Sequence, residues 1–305
     1  MILEVLDRIL AIPKYILEHT CLKRQCIELL KPGRVPRHIG FIMDGNRRFA
    51  KERGLPTRDG HRAGTRALIH ALESCFEIGI KEVSIYAFSI ENFNRPKEEV
   101  DDILNLLKDN IKKISEKSII QKHKVRFRIV GNKDLIEPSI LADLERIEDT
   151  SKTDQTTKFL NVCFAYTARD EIARSIQQIA TKRGSQCMSK TEITERVVVE
   201  NLDVGGLGMP LDVLVRTSGH TRLSDFLLWQ CSSNCKIVFL DTLWPSFRFW
   251  ELYTVLMRWS FEQTIVHSRH AIWGVPASQK VVSIRLLPAC PPFASVSKQV
   301  KPTPG

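Results

Sequence analysis

The sequence predicts an α/β fold, with a mainly parallel sheet covered by helices on both faces. Short β-branched or apolar runs alternate with longer amphipathic segments through residues 34–272, as is typical of βαβ units. Several of these runs end in polar segments that contain arginine, and the carboxyl ends of parallel strands meet at one edge of a sheet. We therefore predict a six-stranded sheet surrounded by helices, with the polar loops along one rim.

Length and composition indicate one large domain with tails. The chain has 305 residues, of which 43% are hydrophobic and 26% charged, and its net charge is +10. This balance is typical of a globular chain with a large core. A basic chain suits polyphosphate substrates or an anionic membrane surface. Nucleic acid is not predicted as a partner, because the basic residues are spread out and no zinc-finger or RNA-binding signature occurs.

Two terminal segments flank the predicted domain at residues 34–272. Residues 1–33 form an amphipathic segment interrupted by Pro13, which either lies on a membrane or covers part of the globule. Residues 273–305 are rich in Pro, Ser and Lys, a composition that predicts a disordered basic tail. No run of about 18 apolar residues occurs, so any predicted membrane contact is peripheral.

The eight cysteines lie in apolar or mixed contexts, and no signal peptide precedes them. Reduced thiols packed in a core are therefore predicted. Cys231 and Cys235 could form half of a zinc site, but no second pair stands at matching spacing, so core packing is the favoured interpretation.

The first predicted strand ends in the segment at residues 44–48, which a helix follows. Gly45 lets the backbone approach a ligand closely, and the N–H groups at a helix start bind anions such as phosphate. Arg47 and Arg48 add guanidinium groups that match phosphate oxygens. Asp44 follows the carboxyl end of the strand, where a carboxylate among such donors would hold Mg²⁺. Taken alone, the segment could equally be a surface turn with solvated arginines.

The next helix is predicted from Gly60 to Gly79, where small and apolar residues recur every fourth position and indicate tight packing by one face. Arg58 and His61, at its start, are further candidates for anion binding. His61 belongs to a site only if it faces the Asp44 loop, because a lone histidine usually has a structural role.

Two more polar loops follow predicted strands, at residues 89–96 and 216–224. After the first loop, Pro96 opens a helix with a stripe of apolar residues. That stripe either faces the core or forms a lipid-binding wall. A glycine-rich run at residues 205–208 precedes a strand instead of linking strand to helix, which argues against a nucleotide-binding loop.

A rim with one carboxylate and several arginines can hold two polyanions side by side. Together with apolar stripes, it favours a reaction between two prenyl diphosphates. Such a reaction needs Mg²⁺ and cationic groups at the leaving diphosphate, and a dry passage for the chain. A phosphatase would need a nucleophile or a second carboxylate cluster, and the sequence suggests neither.

Three segments, at residues 38–51, 89–96 and 216–230, resemble in order the signature segments of the cis-prenyltransferases. The resemblance covers about residues 35–270 and is specific because several long motifs occur in the right order. It is greater to the eukaryotic branch with the catalytic subunits of dehydrodolichyl diphosphate synthase than to the bacterial undecaprenyl diphosphate synthases. It implies a six-stranded, mainly parallel sheet and Mg²⁺-dependent, repeated cis-condensation of isopentenyl diphosphate onto farnesyl diphosphate.

The resemblance also implies roles for individual residues. Asp44 matches the catalytic aspartate that binds the metal, and Asn92 matches the residue assigned to proton removal. Because a neutral amide is a poor base, Asn92 could instead orient the departing pyrophosphate, which would accept the proton. The family's arginine before the next helix aligns with Thr57, and its role is carried to the neighbouring Arg58. The implied substrate-binding residues are Gly45, Asn46, Arg47, Arg48, Phe49, Arg58 and His61 for the allylic diphosphate, Ser89, Glu91, Phe93 and Arg95 beside the reacting carbons, and Arg216, Arg222 and Ser224 for isopentenyl diphosphate.

The chain departs from the bacterial pattern at three points. His220 stands where bacterial members carry glutamate, and Lys236 stands where they carry a glutamate used in metal binding. No Arg-x-Gly follows Trp259, although single-subunit members complete the isopentenyl site with that tail. The resemblance thus implies a heteromer whose partner, of the Nogo-B receptor type, supplies the tail at the cytosolic face of the endoplasmic reticulum membrane.

Two alternatives stay open from the sequence. One is a self-sufficient, homodimeric cis-prenyltransferase, in which His220 would replace an acidic function. The other is a noncatalytic scaffold or prenyl-lipid-binding subunit. The full set of Asp44, Asn92, Arg216 and Arg222 argues against the second, because a pseudoenzyme has no chemical need to keep all four.

Overall fold

A parallel seven-stranded sheet is the centre of the computed structural model, which describes residues 20–116, 122–153, 156–184, 194–205, 209–273 and 283–286. The strands run in the spatial order β3-β4-β2-β1-β5-β6-β7, and every neighbouring pair is parallel. Their bounds are β1 His38–Ile42, β2 Glu82–Tyr86, β3 Val125–Val130, β4 Lys158–Cys163, β5 Val213–Arg216, β6 Lys236–Leu240 and β7 Ser283–Leu286.

Helices connect the strands, as the alternating pattern predicts. Short 3₁₀ turns occur at Ile90–Asn94, Lys133–Leu135 and Trp244–Ser246. The α-helices are α1 Thr20–Leu30, α2 Asn46–Glu52, α3 Thr57–Ile78, α4 Lys97–Glu116, α5 Pro138–Thr150, α6 Ala168–Gly184, α7 Glu195–Glu200, α8 Leu228–Cys231 and α9 Phe249–Trp273.

The α/β prediction is confirmed, and the structure adds one edge strand to the six that were predicted. This strand, β7, pairs in parallel with β6, with Ser283 opposite Ile237. It lies inside the range predicted to be a disordered tail. Residues 281–286 read Val-Val-Ser-Ile-Arg-Leu, a β-branched run whose signal the surrounding Pro, Ser and Lys residues concealed. The rest of the predicted tail, beyond Trp273, lies outside the described residues.

Both faces of the sheet are buried. Alternate residues of a strand point to opposite faces, and neighbouring strand residues belong to two different hydrophobic clusters. In β1, Phe41 belongs to one hydrophobic cluster and Ile42 to another, and in β5 Val213 and Leu214 are divided in the same way. Cys231 and Cys235 pack in the second cluster, as the core interpretation of these thiols predicts.

Helix α1 covers part of the globule. Its residues Cys26, Ile27 and Leu30 are buried in the first hydrophobic cluster, and the helix packs against α9 and α3. For residues 20–30, the covering interpretation of the N-terminal segment therefore holds, while residues 1–19 lie outside the described part. Within that part, none of the helices combines the length and the apolar character that crossing a bilayer requires.

Strand order fixes where a ligand can enter. From the central strand β1, the chain continues to β2 on one side, whereas β5 lies on the other side of β1 and continues to β6. In a parallel sheet, such a reversal opens a crevice at the carboxyl ends of the two strands. Asp44 follows β1, and Arg216 is the last residue of β5, so the crevice brings together two residues that are 172 positions apart in sequence.

Candidate active site

The turn after β1 depends on Gly45, whose φ of 108° is left-handed. This conformation favours glycine, and a Cβ atom here would also lie 2.9 Å from the Leu243 side chain. The tight turn places Asp44 at the mouth of the crevice and begins α2 at once, so that Arg47 and Arg48 follow within one helical turn.

Helix α3 holds α2 in place through close backbone contact. A Cβ atom at Gly60 would collide with the Asn46 carbonyl oxygen, and one at Gly64 would collide with the Asn46 side-chain oxygen. Trp244 Nε1 donates to the Gly64 carbonyl at 2.9 Å. The small residues read from the sequence of this helix therefore fix the position of the arginine-bearing helix beside the site.

Asp44 forms the central ion pair of the site. Its Oδ2 accepts a hydrogen bond from Arg216 Nη2 at 2.9 Å, while Arg48 Nη2 lies 4.0 Å from Oδ1. Burial alone would raise the pKa of Asp44, but the Ser218 hydroxyl and the Arg216 guanidinium lower it below its ordinary value. Asp44 is therefore ionised at neutral pH.

Arg216 connects Asp44, after β1, with the loop that follows β5. Its guanidinium, only 3% exposed, donates through Nη1 to the Arg222 carbonyl at 2.5 Å and to Ser224 Oγ at 2.7 Å. Its buried Nε has no hydrogen-bond partner within the described chain. Such an orphaned donor costs free energy, and a substrate or water oxygen in the crevice would satisfy it.

The segment after β5 wraps around the same anionic centre. Thr217 Oγ1 donates to the Asp44 carbonyl at 2.9 Å and accepts the Asp44 N–H at 3.1 Å. Arg48 Nη2 donates to the Ser218 carbonyl at 3.0 Å. His220 lies on the same wall, where desolvation and the charges of Arg222 and Arg48 lower its pKa. His220 is therefore largely neutral at neutral pH.

A cavity of about 1070 Å³ opens at this point. All predicted site residues except Phe49, Arg58 and Phe93 line it, including His61, which therefore meets the condition set by the sequence. The apolar part of the lining comes from β1, β2, α3, α4 and their neighbours: Ile42, Met43, Leu68, Ile85, Ala87, Phe88, Ile103, Leu106, Leu107, Ile111 and Val162. The apolar stripe on α4 thus contributes both to the core and to the cavity lining. It therefore faces the core, as the first interpretation predicts, and also lines the cavity, where the second interpretation places a lipid-binding wall.

Three predicted residues lie outside the cavity wall. Phe49 is buried beneath α2, with the Arg53 guanidinium 4.0 Å from its ring centroid. Phe93 packs edge-on against Phe88 at 4.9 Å between ring centroids. Arg58 is exposed on the first turn of α3. The two phenylalanines therefore support wall residues from behind, because each belongs to a helical turn whose other side faces the cavity.

Lys236 does not face the anionic centre either. It begins β6 opposite Val213, whereas Arg216 lies opposite Phe239 at the other end of the strand pair. Its Nζ pairs with Glu262 at 2.6 Å. Lys236 and Asp44 thus lie near opposite ends of the parallel strands. Within one chain, Lys236 therefore does not occupy a metal-ligand position next to Asp44.

Arg169 and Asp225 line the cavity but are missing from the residues predicted by sequence. Arg169 Nε donates to Asp225 Oδ2 at 2.6 Å, and its Nη2 donates to Glu91 Oε1 at 3.2 Å. The available signal was the charged run Arg-Asp-Glu after a fourth strand, at another carboxyl end of the same sheet.

The residues present suit a magnesium ion that is shared with substrate. Among the residues that the structure describes, no group of three or more His, Cys, Asp or Glu side chains is placed so that it could hold a metal ion without other ligands. Mg²⁺ commonly binds one or two carboxylates and completes its shell with phosphate oxygens and water. Asp44 provides an ionised carboxylate on the cavity wall.

Comparison with known proteins identifies the family. The family model described as putative undecaprenyl diphosphate synthase, a prenyltransferase family, matches residues 42–266. The chain belongs to the cis-prenyltransferase family. It is 40% identical over 243 residues to a dehydrodolichyl diphosphate synthase complex subunit of Schizosaccharomyces pombe, covering 79% of this chain and 91% of that protein. It is 39% identical over 253 residues to the human dehydrodolichyl diphosphate synthase complex subunit, covering 83% and 75% of the two chains.

Solved structures agree with this cis-prenyltransferase assignment. Lavandulyl diphosphate synthase from Lavandula x intermedia, in complex with dimethylallyl diphosphate, matches with a TM-score of 0.69 at 28% identity, over 74% of this chain and 95% of that one. A probable undecaprenyl diphosphate synthase from Campylobacter jejuni matches with a TM-score of 0.60 at 31% identity, over the same shares. The chain is therefore an enzyme of the cis-prenyltransferase class, and the resemblance noted from the sequence is confirmed.

Proposed function

We propose that this chain is the catalytic subunit of a dehydrodolichyl diphosphate synthase. It would add isopentenyl diphosphate units in cis geometry onto farnesyl diphosphate and make a long polyprenyl diphosphate for dolichol and protein glycosylation. The observation that carries the proposal is the cavity of about 1070 Å³, which joins an ionised Asp44, a set of arginines and a long apolar wall. Relatives about 40% identical that are named as subunits of that complex support the choice within the family.

Two sets of residues in the cavity would form two separate diphosphate subsites. Arg47, Arg48 and His61 line the side next to α2 and α3, and would bind the allylic diphosphate whose departure begins the reaction. Arg222 and Ser224 line the side beyond β5, and would bind isopentenyl diphosphate. Guanidinium groups that contact both diphosphates stabilise the charge that develops on the leaving group.

Asp44, between these subsites, would hold Mg²⁺. When bound, the ion supplies Lewis-acid stabilisation of the leaving diphosphate. Arg216 fixes the orientation of the Asp44 carboxylate through its hydrogen bond to Oδ2, which leaves Oδ1 for the metal. The apolar wall excludes water from the carbocation-like centre and accommodates the growing chain.

Asn92 would act where the proton leaves the isopentenyl unit. It belongs to the Ile90–Asn94 turn, which Ser89 caps by accepting the Glu91 N–H at 3.2 Å. Since an amide is a poor base, we propose that Asn92 orients the departing pyrophosphate, which accepts the proton. Glu91 and Arg95 line the same part of the cavity.

The names of the relatives as complex subunits support a heteromer. The partner would be of the Nogo-B receptor type and would supply an Arg-x-Gly tail to the isopentenyl subsite. We propose a peripheral location on the cytosolic face of the endoplasmic reticulum membrane, reached through this partner.

Incorporation of radiolabelled isopentenyl diphosphate tests the proposal. The chain is assayed alone and with a candidate partner, with farnesyl diphosphate, and with Mg²⁺ or with EDTA. We expect long-chain products only with Mg²⁺ and a strong increase with the partner. Full activity of the chain alone would instead indicate a self-sufficient enzyme, and binding of prenyl diphosphates without turnover under every condition would contradict catalysis.

A further inference from the structure

Arg169 connects two loops that line the cavity, through Asp225 in one and Glu91 in the other. We propose that Arg169 and Asp225 form a positioning pair, which fixes the loop that carries Ser224 against the turn that carries Asn92. The identity of the two substrates is taken from the proposed function. The positioning role itself is argued from the contacts of Arg169 and Asp225.

The loop that carries Ser224 needs external support. Ser224, Asp225 and Leu227 have φ values of 50°, 59° and 48°, in the left-handed region that residues with a Cβ atom rarely adopt. Such a conformation persists only where surrounding contacts determine it. The loop also contributes the Arg222 carbonyl and the Ser224 hydroxyl, both of which accept from Arg216, so its shape decides the geometry of the isopentenyl subsite.

The start of α6 supplies that support through Asp225. The Ala168 N–H donates to the Asp225 carbonyl at 2.8 Å, and the Arg169 N–H donates to Asp225 Oδ1 at 3.1 Å. Arg169 Nε then donates to Oδ2 at 2.6 Å. Both oxygens of this carboxylate are therefore held from one helix, and the Asp225 side chain is only 12% exposed.

The same guanidinium reaches the second loop. Arg169 Nη2 donates to Glu91 Oε1 at 3.2 Å, in the 3₁₀ turn that also contains Asn92. A planar guanidinium can donate to two carboxylates in fixed directions, whereas a lysine ammonium acts as a single point charge. Arg169 is thus suited to set the distance between the loop and the turn.

Stability does not explain the link from Arg169 to Glu91. The Arg169 side chain is 72% exposed and that of Glu91 is 60% exposed, and exposed ion pairs contribute little to folding. Alignment of reacting groups is far more sensitive, because a displacement of about 1 Å can lower a rate about 10²-fold. A pair that links the proton-transfer turn to the isopentenyl loop therefore affects the reaction more than the fold.

The test compares Arg169→Met, Arg169→Lys, Asp225→Asn and the Arg169→Met/Asp225→Asn double variant, in the full chain with its partner if the chain alone is inactive. Arg196→Met is the matched control, because Arg196 pairs with Glu200 at 2.7 Å on an exposed helix away from the cavity. The measurements are kcat, the KM for each substrate, the Tm, and calorimetric binding of inorganic pyrophosphate, which needs no turnover.

We expect Arg169→Met to lower kcat at least about 10-fold and to raise the KM for isopentenyl diphosphate, with the Tm within about 2 °C of the parent. The double variant should be no worse than the poorer single variant, since both remove one link. Arg169→Lys should keep the parent Tm but should not recover kcat, pyrophosphate should bind more weakly to Arg169→Met, and Arg196→Met should match the parent throughout.

Three results would overturn the proposal: parent-like kcat and KM in Arg169→Met, additive losses in the double variant, or full recovery of kcat by Arg169→Lys. If Arg169→Met unfolds early, the lysine variant decides, because it retains the charge but not the fork. These results leave the proposed function intact as long as Asp44→Ala is inactive in the same assay. If no preparation turns over, unchanged pyrophosphate affinity in Arg169→Met still contradicts the positioning role.

Discussion

Replacement of Asp44 by alanine is the most direct test of the site. At the 2.9 Å separation from Arg216, the gross attraction between the two charges is about 6 kcal/mol at an effective dielectric constant near 20. Much of this offsets the dehydration of the buried guanidinium. Arg216 keeps its bonds to the Arg222 carbonyl and Ser224 Oγ, so we expect a net loss of about 2–3 kcal/mol in the free energy of unfolding.

That loss leaves the protein folded, because domains are typically stable by about 5–15 kcal/mol, and it should lower the Tm by about 5–10 °C. Turnover should fall at least about 10³-fold, since one change removes both the metal ligand and the orientation of Arg216. Asp44→Asn is the matched control. It retains an acceptor for Arg216 and should lose less stability, but its activity should be as low.

Incorporation of radiolabelled isopentenyl diphosphate and thermal unfolding, measured on the same samples, check both parts. If Asp44→Ala keeps more than about a tenth of the parent turnover, the metal assignment is wrong. The pH dependence gives a second check. Because the pKa of Asp44 is lowered in the folded chain, its contribution to stability is present above the ordinary pKa of about 4 and is lost as the pH falls through the folded value. The stability difference between parent and Asp44→Asn should therefore be constant at neutral pH and shrink in acid.

Three further predictions concern the walls of the cavity. Arg222→Ala should raise the KM for isopentenyl diphosphate more than that for the allylic substrate, and steady-state kinetics showing the opposite order would exchange the two subsites. His220 has a lowered pKa because of desolvation, Arg222 and Arg48, so it gains its charge only below its ordinary value of about 6.5. The KM for a diphosphate substrate should therefore fall more in the parent than in His220→Gln as the pH is lowered from about 7 to about 5, and parallel pH profiles would contradict this role. Gly64→Val should separate α3 from Asn46, destabilise the chain by about 1–3 kcal/mol in chemical denaturation and lower activity; unchanged stability would show that the helices are not in tight contact.

Local sequence patterns predicted most of the strands and helices, because each buried run has its own periodicity and each loop its own turn residues. They also predicted that Asp44 and Arg216 meet, since both follow strands of one parallel sheet. Patterns could not predict that Lys236 begins its strand at the far end from Asp44, because that depends on register. They also missed β7, whose four residues lie in a stretch of disorder-like composition.

The differences between the predicted and the observed cavity residues have one physical cause, which is tertiary packing. Asp225 takes its role from contacts with Arg169, 56 positions earlier, and Arg169 takes its role from two loops at once. Phe49 and Phe93 lie within signature segments, yet their rings point away from the cavity because helical turns divide neighbouring residues between two sides. Motif membership identifies the segment that approaches a ligand, and packing decides which of its side chains reach it.

The reversal of strand order beside β1 implies that no early portion of the polypeptide can be active by itself. A ribosome that has released only the first 200 residues has made Asp44, the proposed metal ligand, but neither Arg216, which orients it, nor the proposed isopentenyl diphosphate subsite. Competence should therefore arise late in synthesis, when β5 inserts next to β1. A truncated transcript that ends before Val213 would encode a protein with the proposed allylic subsite but without the proposed isopentenyl subsite, and thus with no means of joining two isoprenoid units.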